Sequence, residues 1–126
     1  MERLRSLYNI YLSFKDRERI PFIKIQEQII PKKRGCYIIY DNEDRVAYVG
    51  RTKDLRARFN THHRRNSGAS SFRNKIKKKF DFDTEEQITE WIGEKYSVIF
   101  IEIENQKEER RFEHFLIALL NPYLND

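Results

Sequence analysis

The sequence of 126 residues contains a single cysteine, Cys36, so no disulfide bond can form within the chain. Cys36 lies in an apolar run, and we expect it to be a small core residue rather than part of a zinc site. No apolar run approaches the length that crosses a membrane, and the first residues lack the apolar stretch of a signal peptide. These absences predict a soluble, intracellular protein of the cytoplasm with no membrane contact.

Glycine and proline are also scarce, at 4 and 3 residues, and no flexible linker divides the chain. There are no internal repeats and no low-complexity stretches. A chain of this length can bury one modest core. We therefore predict a single domain spanning residues 1–126.

Charged residues are plentiful, at 36% of the chain, and they are unevenly distributed. Residues 51–79 carry 11 basic side chains and 1 acidic one, whereas residues 80–126 carry 4 basic and 12 acidic ones. A basic block within a folded chain favours a surface that binds a polyanion. The same block also fits a solvated helix face balanced by the acidic part of the chain, and composition leaves both interpretations open.

Periodicity and turn chemistry predict an α+β fold in which helices pack on a small sheet. Runs rich in β-branched and aromatic residues predict three strands, at residues 36–40, 46–49 and 97–103. Apolar periodicity predicts helices at residues 3–16, 52–63, 71–80, 84–93 and 107–120, with a loop at 66–70. Thr52 is the expected N-cap of the second helix, and Asp83 or Thr84 that of the fourth.

Two tyrosines face each other in the predicted hairpin. If residues 41–44 form the turn, Tyr40 lies opposite Arg45 and Tyr37 lies directly opposite Tyr48. Opposed residues share one face of a sheet, with Cβ atoms about 5 Å apart, so the two hydroxyls would project to one side. The pair fits either a polar site or an aromatic pair in the core.

Arg58 borders the inward face of the helix that follows. Leu55, Phe59 and His62 recur at the spacing of one helix face, and Arg58 lies beside that stripe. An inward guanidinium needs an anionic partner, which could be a bound phosphate or the carboxylate of Glu113. The remaining arginines of this region are expected to face outward, namely Arg51, Arg56, Arg64 and Arg65.

Glu113 lies on an apolar face of the last helix, because Ile117 and Leu120 follow it at the same helical phase. A carboxylate in such surroundings must be paired, protonated or bound to a cation. Either a salt bridge to Arg58 or coordination of Mg²⁺ would satisfy this requirement. Asn125, just past the helix, could add a neutral hydrogen bond.

These residues resemble the GIY-YIG nuclease family. The two tripeptides Gly35-Cys36-Tyr37 and Tyr48-Val49-Gly50 match the motifs that give the family its name. Residues 51–59 resemble the family's arginine-bearing helix, and residues 113–117 and 121–125 resemble its closing segment with a glutamate and an asparagine. The resemblance covers residues 34–126, which leaves residues 1–33 as a helical N-terminal extension.

The resemblance implies a three-stranded antiparallel sheet flanked by helices, and hydrolysis of a nucleic-acid phosphodiester with one divalent cation, Mg²⁺ or Mn²⁺. Glu113 is the implied metal ligand. Carried over by position, the catalytic set is Tyr37, Tyr48, Arg58, Glu113 and Asn125, with Gly50 allowing close approach of the backbone. His62 is the candidate for a further histidine or lysine that some members carry.

The general base is open between two residues. A free tyrosine has a pKa of roughly 10, and we expect the basic helix together with a bound metal ion to lower the pKa of Tyr37. Tyr37 is then the base or the group that orients water, with Tyr48 as its hydrogen-bond partner. The alternative base is His62, whose ordinary pKa suits the role.

The expected substrate is double-stranded DNA. Contacts to its backbone are predicted for Gly50, Arg51, Lys53, Arg64, Arg65, Ser71, Arg73, Lys75, Lys77 and Lys78. Such contacts position a duplex without reading bases, so strong specificity requires a homodimer, an accessory DNA-reading partner, or reading by residues 66–79.

Two other functions compete with nuclease activity. One is a non-catalytic nucleic-acid-binding module that retains the fold. The other is a protein-interaction domain with both tyrosines in its core and a structural salt bridge between Arg58 and Glu113.

Overall fold

The computed structural model describes residues 2–62 and 70–125. Its sheet is antiparallel and four-stranded, with the spatial order β1-β4-β2-β3. The strands are β1 (Ile20–Pro21), β2 (Gly35–Asp41), β3 (Val46–Thr52) and β4 (Tyr96–Glu102). The predicted α+β class is confirmed. The expectation of three strands is corrected by β1, a two-residue strand on the edge of the sheet that no sequence pattern marked.

Helices flank the sheet on both sides. The α-helices are α1 (Glu2–Phe14), α2 (Leu55–Ala57), α3 (Ser71–Lys79), α4 (Glu85–Lys95) and α5 (Gln106–Leu120). A 3₁₀-helix, Phe22–Glu27, follows β1, and α2 continues as a π-helix, Arg58–His62. The predicted N-terminal helix is confirmed. The predicted loop at 66–70 lies outside the described residues except for Ser70, which caps α3.

The seven residues of β2 are all buried, because the strand lies between β3 and β4 and is covered on both faces. One face packs against Leu55, Phe59 and Phe72, and the other packs against Phe14, Phe112 and Leu116. Cys36 is a free, buried thiol on the second face, as expected. No helix in the described part of the chain is long and apolar enough to cross a membrane.

The hairpin between β2 and β3 has a different register from the one predicted. At the turn, Tyr40 lies opposite Val46 instead of Arg45, and a β-bulge between Ile39 and Tyr40 adds a second offset of one residue. Tyr37 consequently lies opposite Gly50, and Tyr48 lies opposite Ile39. The shift amounts to two residues, so both tyrosines still project from one face, now as diagonal neighbours.

The helix after β3 begins later than predicted. Asp54, not Thr52, is the N-cap of α2, and its carboxylate accepts a hydrogen bond from the Ala57 amide at 3.0 Å. Thr52 instead accepts a bond from the Asp54 amide at 3.1 Å, which shapes the turn before the helix. The predicted cap at Thr84 is present, since its hydroxyl accepts from Gln87 N at 3.2 Å.

Asp41 fixes the turn of the hairpin. Its buried carboxylate accepts bonds from the amides of Glu43 (2.9 Å) and Arg45 (3.0 Å) and from Arg45 Nε (2.9 Å). The Tyr123 hydroxyl donates a fourth bond at 2.8 Å. Burial acts to raise the pKa of Asp41, but the hydrogen bonds from Arg45, Tyr123 and Glu43 outweigh it and lower the pKa from 3.8.

Asp41→Asn is therefore expected to lower the free energy of unfolding by about 2–3 kcal/mol, since an amide cannot accept all four bonds. Because the folded pKa lies below the unfolded one, the carboxylate stabilises the fold above about pH 4 and loses that effect as the pH falls through the folded pKa. Urea unfolding at pH 7 and pH 3 measures both effects, and the difference in the free energy of unfolding between the two proteins should be smaller at pH 3. Arg45→Gln is the control, with an expected cost below about 1 kcal/mol because its side chain is exposed. Equal losses in the two variants would contradict this account.

Candidate active site

A polar cleft of about 490 Å³ opens where β2, β3, α2, α3 and α5 meet. Four residues predicted for catalysis line it, namely Tyr37, Tyr48, Arg58 and Glu113. Four of the predicted nucleic-acid contacts line it as well, namely Gly50, Arg51, Lys53 and Ser71. Segments that are far apart in sequence thus converge on one solvent-open space.

Gly50 makes room for the ring of Tyr37. A Cβ atom on Gly50 would collide with the hydroxyl oxygen and the Cζ atom of Tyr37, so the ring lies directly across the backbone of β3. The ring also packs edge-on against Phe59, with centroids 4.9 Å apart, and tilts against Tyr48 at 6.3 Å. Gly50 therefore determines where the Tyr37 hydroxyl lies.

The pKa values of both tyrosines are raised above the ordinary value for a tyrosine. Burial is the main cause for Tyr37, Tyr48 adds to it, and the nearby Arg58 opposes it, so the pKa of Tyr37 is well above 10.0. Burial also raises the pKa of Tyr48, against a hydrogen bond with Ser71. The charge of Arg58 by itself does not lower the pKa of Tyr37, because desolvation outweighs it. The expected effect of a bound cation stays a prediction.

Arg58 opens the π-helix and lies in the cleft beside the tyrosines. Its backbone amide donates to Asp54 O at 3.1 Å. A π-turn changes the phase of a helix and is often found at functional sites, and here it follows the single turn of α2. His62 ends the same π-helix, but its imidazole lies outside the described part of the structure.

Glu113 is held by Arg51 in the cleft, at 3.2 Å between Oε1 and Arg51 Nε. Arg51 was expected to face outward, but its side chain turns inward because two carboxylates of α5 attract it. Burial raises the pKa of Glu113, whereas Arg51 and His114 act to lower it. Burial is the larger effect, so the pKa lies above the ordinary value. Glu113 is therefore a partly desolvated carboxylate that a cation would stabilise in its charged form.

A second carboxylate, Glu109, also lines the cleft and was not identified from the sequence. It lies one helical turn before Glu113, with its side chain 1% exposed, and contacts Arg51 Nη1 at 3.4 Å and Arg34 Nη1 at 3.3 Å. The spacing of four residues between the two glutamates was the available signal. It was overlooked because Glu109 stands among four charged residues, 108–111, which are typical of an exposed face.

Asn125 is not among the described residues that line the cleft. Its side-chain amide instead pairs with the backbone of Val49, accepting from the amide at 2.9 Å and donating to the carbonyl at 2.8 Å. Val49 lies between Tyr48 and Gly50, so Asn125 holds the strand segment that carries both. The structure thus places the Asn125 side chain against the backbone of β3, and its catalytic role stays a prediction.

Arg73 differs most from its predicted position. It was expected to contact a nucleic-acid backbone, but it is fully buried. Its guanidinium donates to Thr89 Oγ1 and to the backbone oxygen of Glu85, both at 3.1 Å, and so joins α3 to α4. The other predicted contacts on α3, Lys75, Lys77 and Lys78, are partly or fully exposed, while Arg64 and Arg65 lie outside the described residues.

Comparison with known proteins decides the family. The GIY-YIG catalytic domain matches residues 33–125. The chain belongs to this family. The resemblance seen in the two tripeptides is thereby confirmed, and so is the predicted enzyme class at the level of the family.

Curated relatives of this GIY-YIG domain are much longer than the chain. UvrABC system protein C of Mycoplasma mycoides subsp. mycoides SC is 27% identical over 103 residues, 82% of this chain and 15% of that protein. The protein of the same name from Prochlorococcus marinus is 28% identical over 114 residues, 86% of this chain and 16% of that protein. The chain thus corresponds to a small part of each relative.

Solved structures agree in fold. The GIY-YIG N-terminal endonuclease domain of UvrC from Thermotoga maritima, bound to its catalytic magnesium, is 24% identical, with a TM-score of 0.50. The alignment covers 82% of this chain and 96% of that one. A point mutant of the same domain, bound to its catalytic divalent cation, has 22% identity and the same TM-score of 0.50.

The donor set of the cleft fits a single hard cation. No three histidine, cysteine, aspartate or glutamate side chains converge as a metal cluster within the described residues. Mg²⁺ is commonly held by one or two carboxylates together with water and substrate phosphate. Glu113 offers one such carboxylate in an open cleft, so the residues present suit a cation completed by water and phosphate.

Proposed function

We propose that this GIY-YIG domain is an endonuclease that hydrolyses DNA phosphodiester bonds with one divalent cation held by Glu113. The observation that carries the proposal is the convergence of Tyr37, Tyr48, Arg58 and Glu113 on one open cleft. The cation and endonuclease activity named for the Thermotoga maritima domain support it. A purely structural role for these four residues does not require solvent access.

The residues of the cleft divide the work of phosphodiester hydrolysis. Glu113 would hold the divalent cation, which would supply Lewis-acid stabilisation of the phosphate and the leaving oxygen. Arg58 presents a guanidinium to the scissile phosphate, where preorganised charge stabilises the transition state. The hydroxyl of Tyr37 orients the attacking water, and Tyr48 is held beside it by Ser71.

We assign Tyr37 to orienting water rather than to carrying charge in the resting protein, because its raised pKa keeps the phenol protonated at neutral pH. A neutral phenol can still donate and accept hydrogen bonds. With the Tyr37 phenol neutral, the proton of the attacking water passes to His62, the other base that the sequence offers.

The DNA duplex is proposed to lie across the cleft and along α3. Lys53 lies at the cleft, and Lys75, Lys77 and Lys78 continue the positive charge along the helix. Arg73 is omitted from this surface because it is buried. Such lysines position the backbone and leave base reading to other groups, so a dimer or a partner protein is proposed to supply sequence specificity.

The test is incubation of the protein with supercoiled plasmid in Mg²⁺, with matched samples containing EDTA. We expect nicked or linear DNA with Mg²⁺ and none with EDTA, and Mn²⁺ should restore cleavage after chelation. Gel-shift measurements in EDTA separate binding from cleavage. Tight binding with no cleavage in either metal would instead identify a non-catalytic binding module. RNA and branched DNA, run in parallel, define the substrate class.

A further inference from the structure

We propose that Glu109 is a positioning residue that anchors Arg51, so that Glu113 is released to the divalent cation. This inference rests on the proposed function, because it concerns the same cation site. The sequence patterns did not mark Glu109, and the interpretation follows from how one arginine is shared between two carboxylates.

Arg51 bridges two glutamates of α5. Its Nε contacts Oε1 of Glu113 at 3.2 Å, and its Nη1 contacts Oε1 of Glu109 at 3.4 Å. In this arrangement the guanidinium holds the carboxylate that a cation requires. A cation and Arg51 therefore compete for Glu113, because each neutralises the same negative charge.

Glu109 has the capacity to hold Arg51 alone. Its side chain is 1% exposed, and Oε2 is buried with no hydrogen-bond partner among the described residues. A carboxylate can accept two parallel bonds from one guanidinium. When Arg51 leaves Glu113, this second oxygen is available to its freed N–H group.

Arg34 makes this anchor more secure. Its Nη1 also contacts Oε1 of Glu109, at 3.3 Å, so the buried carboxylate stays charge-balanced whichever way Arg51 shifts. Arg34 and Arg51 both line the cleft, and Glu109 lies between them. With Arg51 held there, its positive charge stays beside the substrate phosphate and does not block the cation.

The test is a titration of the folded protein with Mn²⁺ in the absence of DNA, in which electron paramagnetic resonance measures the free Mn²⁺ and so gives the affinity. For Glu109→Gln we expect Mn²⁺ to bind about tenfold more weakly, because Arg51 loses one charge-assisted bond and relies on Glu113 instead. Glu108→Gln is the matched control, since Glu108 is an exposed neighbour on the same helix, and it should bind Mn²⁺ as the unmodified protein does.

Arg51→Gln separates anchoring from simple charge attraction. In the Arg51→Gln background no guanidinium competes, so adding Glu109→Gln should weaken Mn²⁺ binding by only about twofold, the residual Coulomb effect. An equal loss in both backgrounds would show that Glu109 acts through its charge alone and would overturn the proposal. An unchanged Mn²⁺ affinity in Glu109→Gln would also overturn the proposal.

Glu109→Asp provides a second variant should Glu109→Gln fail to fold, which circular dichroism reports. Aspartate keeps the charge but withdraws the carboxylate from Arg51, so we expect a several-fold weaker Mn²⁺ affinity, whereas pure charge attraction predicts no change. Because these titrations contain no DNA, they are independent of plasmid cleavage. If Mn²⁺ binds as expected but plasmid DNA is never cleaved, the proposed nuclease function is refuted while the proposed role of Glu109 stands.

Discussion

Glu113→Gln is expected to abolish plasmid cleavage while leaving the protein folded and able to bind DNA. The amide keeps the shape of the side chain and one acceptor oxygen for Arg51, but it loses the negative charge that holds a cation. Cation stabilisation of a phosphoryl transition state contributes several kcal/mol, so the rate should fall by about 10³-fold or more. The measurement is initial cleavage rate in Mg²⁺, alongside a gel shift in EDTA.

The stability of Glu113→Gln distinguishes the site from a structural salt bridge. The pKa of Glu113 is raised by burial, which means that folding disfavours its charged form. A neutral glutamine should therefore change the free energy of unfolding by less than about 1 kcal/mol. If Glu113 and an arginine formed an essential structural pair, the loss would be about 3–5 kcal/mol. Glu108→Gln serves as the control for both rate and stability.

Gly50→Ala is expected to reduce cleavage by about 10²-fold, the effect of displacing a catalytic group by roughly 1 Å. The added Cβ would clash with the hydroxyl end of Tyr37. The ring cannot simply turn aside, because Phe59 and Tyr48 pack against it. Since no described glycine has a positive φ, alanine fits the backbone of Gly50, and the effect comes from the side-chain collision alone.

Gly93→Ala is the matched control. The nearest atom to a Cβ on Gly93 is Ile23 Cβ at 3.7 Å, an ordinary contact, and Gly93 lies inside α4. That variant should gain about 0.5–1 kcal/mol of stability and keep full activity. Gly50→Ala should lose about 1–3 kcal/mol from overpacking.

Combining Gly50→Ala with Tyr37→Phe tests the cause of the loss. If alanine acts by moving the Tyr37 hydroxyl, the double variant should be no slower than the slower single variant. If the fold losses of cleavage rate multiply in the double variant, Gly50 acts independently of Tyr37, for example through backbone contact with the substrate.

The sequence predicted which residues form the cleft better than it predicted the strand register and the ion pairs that join them. The two tripeptides, the arginine of the π-helix and Glu113 were recognisable because each lies at a fixed place relative to a predicted element. The hairpin register was not recognisable, because it depends on an offset of one residue at the turn and a second at the bulge between Ile39 and Tyr40, neither of which alternation reveals. The shift happened to be even, which kept both tyrosines on one face.

Ion pairs between distant elements account for the remaining differences. Arg51 and Arg73 look alike in a basic stretch, yet one reaches two glutamates across the cleft and the other is buried under α4. Neither the alternation of β3, which carries Arg51, nor the helical phase of α3, which carries Arg73, predicts these positions, because each is determined by an acceptor on another element. Glu109 is likewise held by partners on other elements, which lie 58 and 75 positions away.

Asn125 has a consequence for self-association. β3 is the last strand of the sheet, and such a strand normally offers unpaired backbone groups to other chains. Here Asn125 occupies both the amide and the carbonyl of Val49, and the Leu124 amide occupies Ala47 O at 2.8 Å. The same short segment that steadies the tyrosine strand also shields its open side from strand addition, which links correct assembly of the cleft to resistance against aggregation.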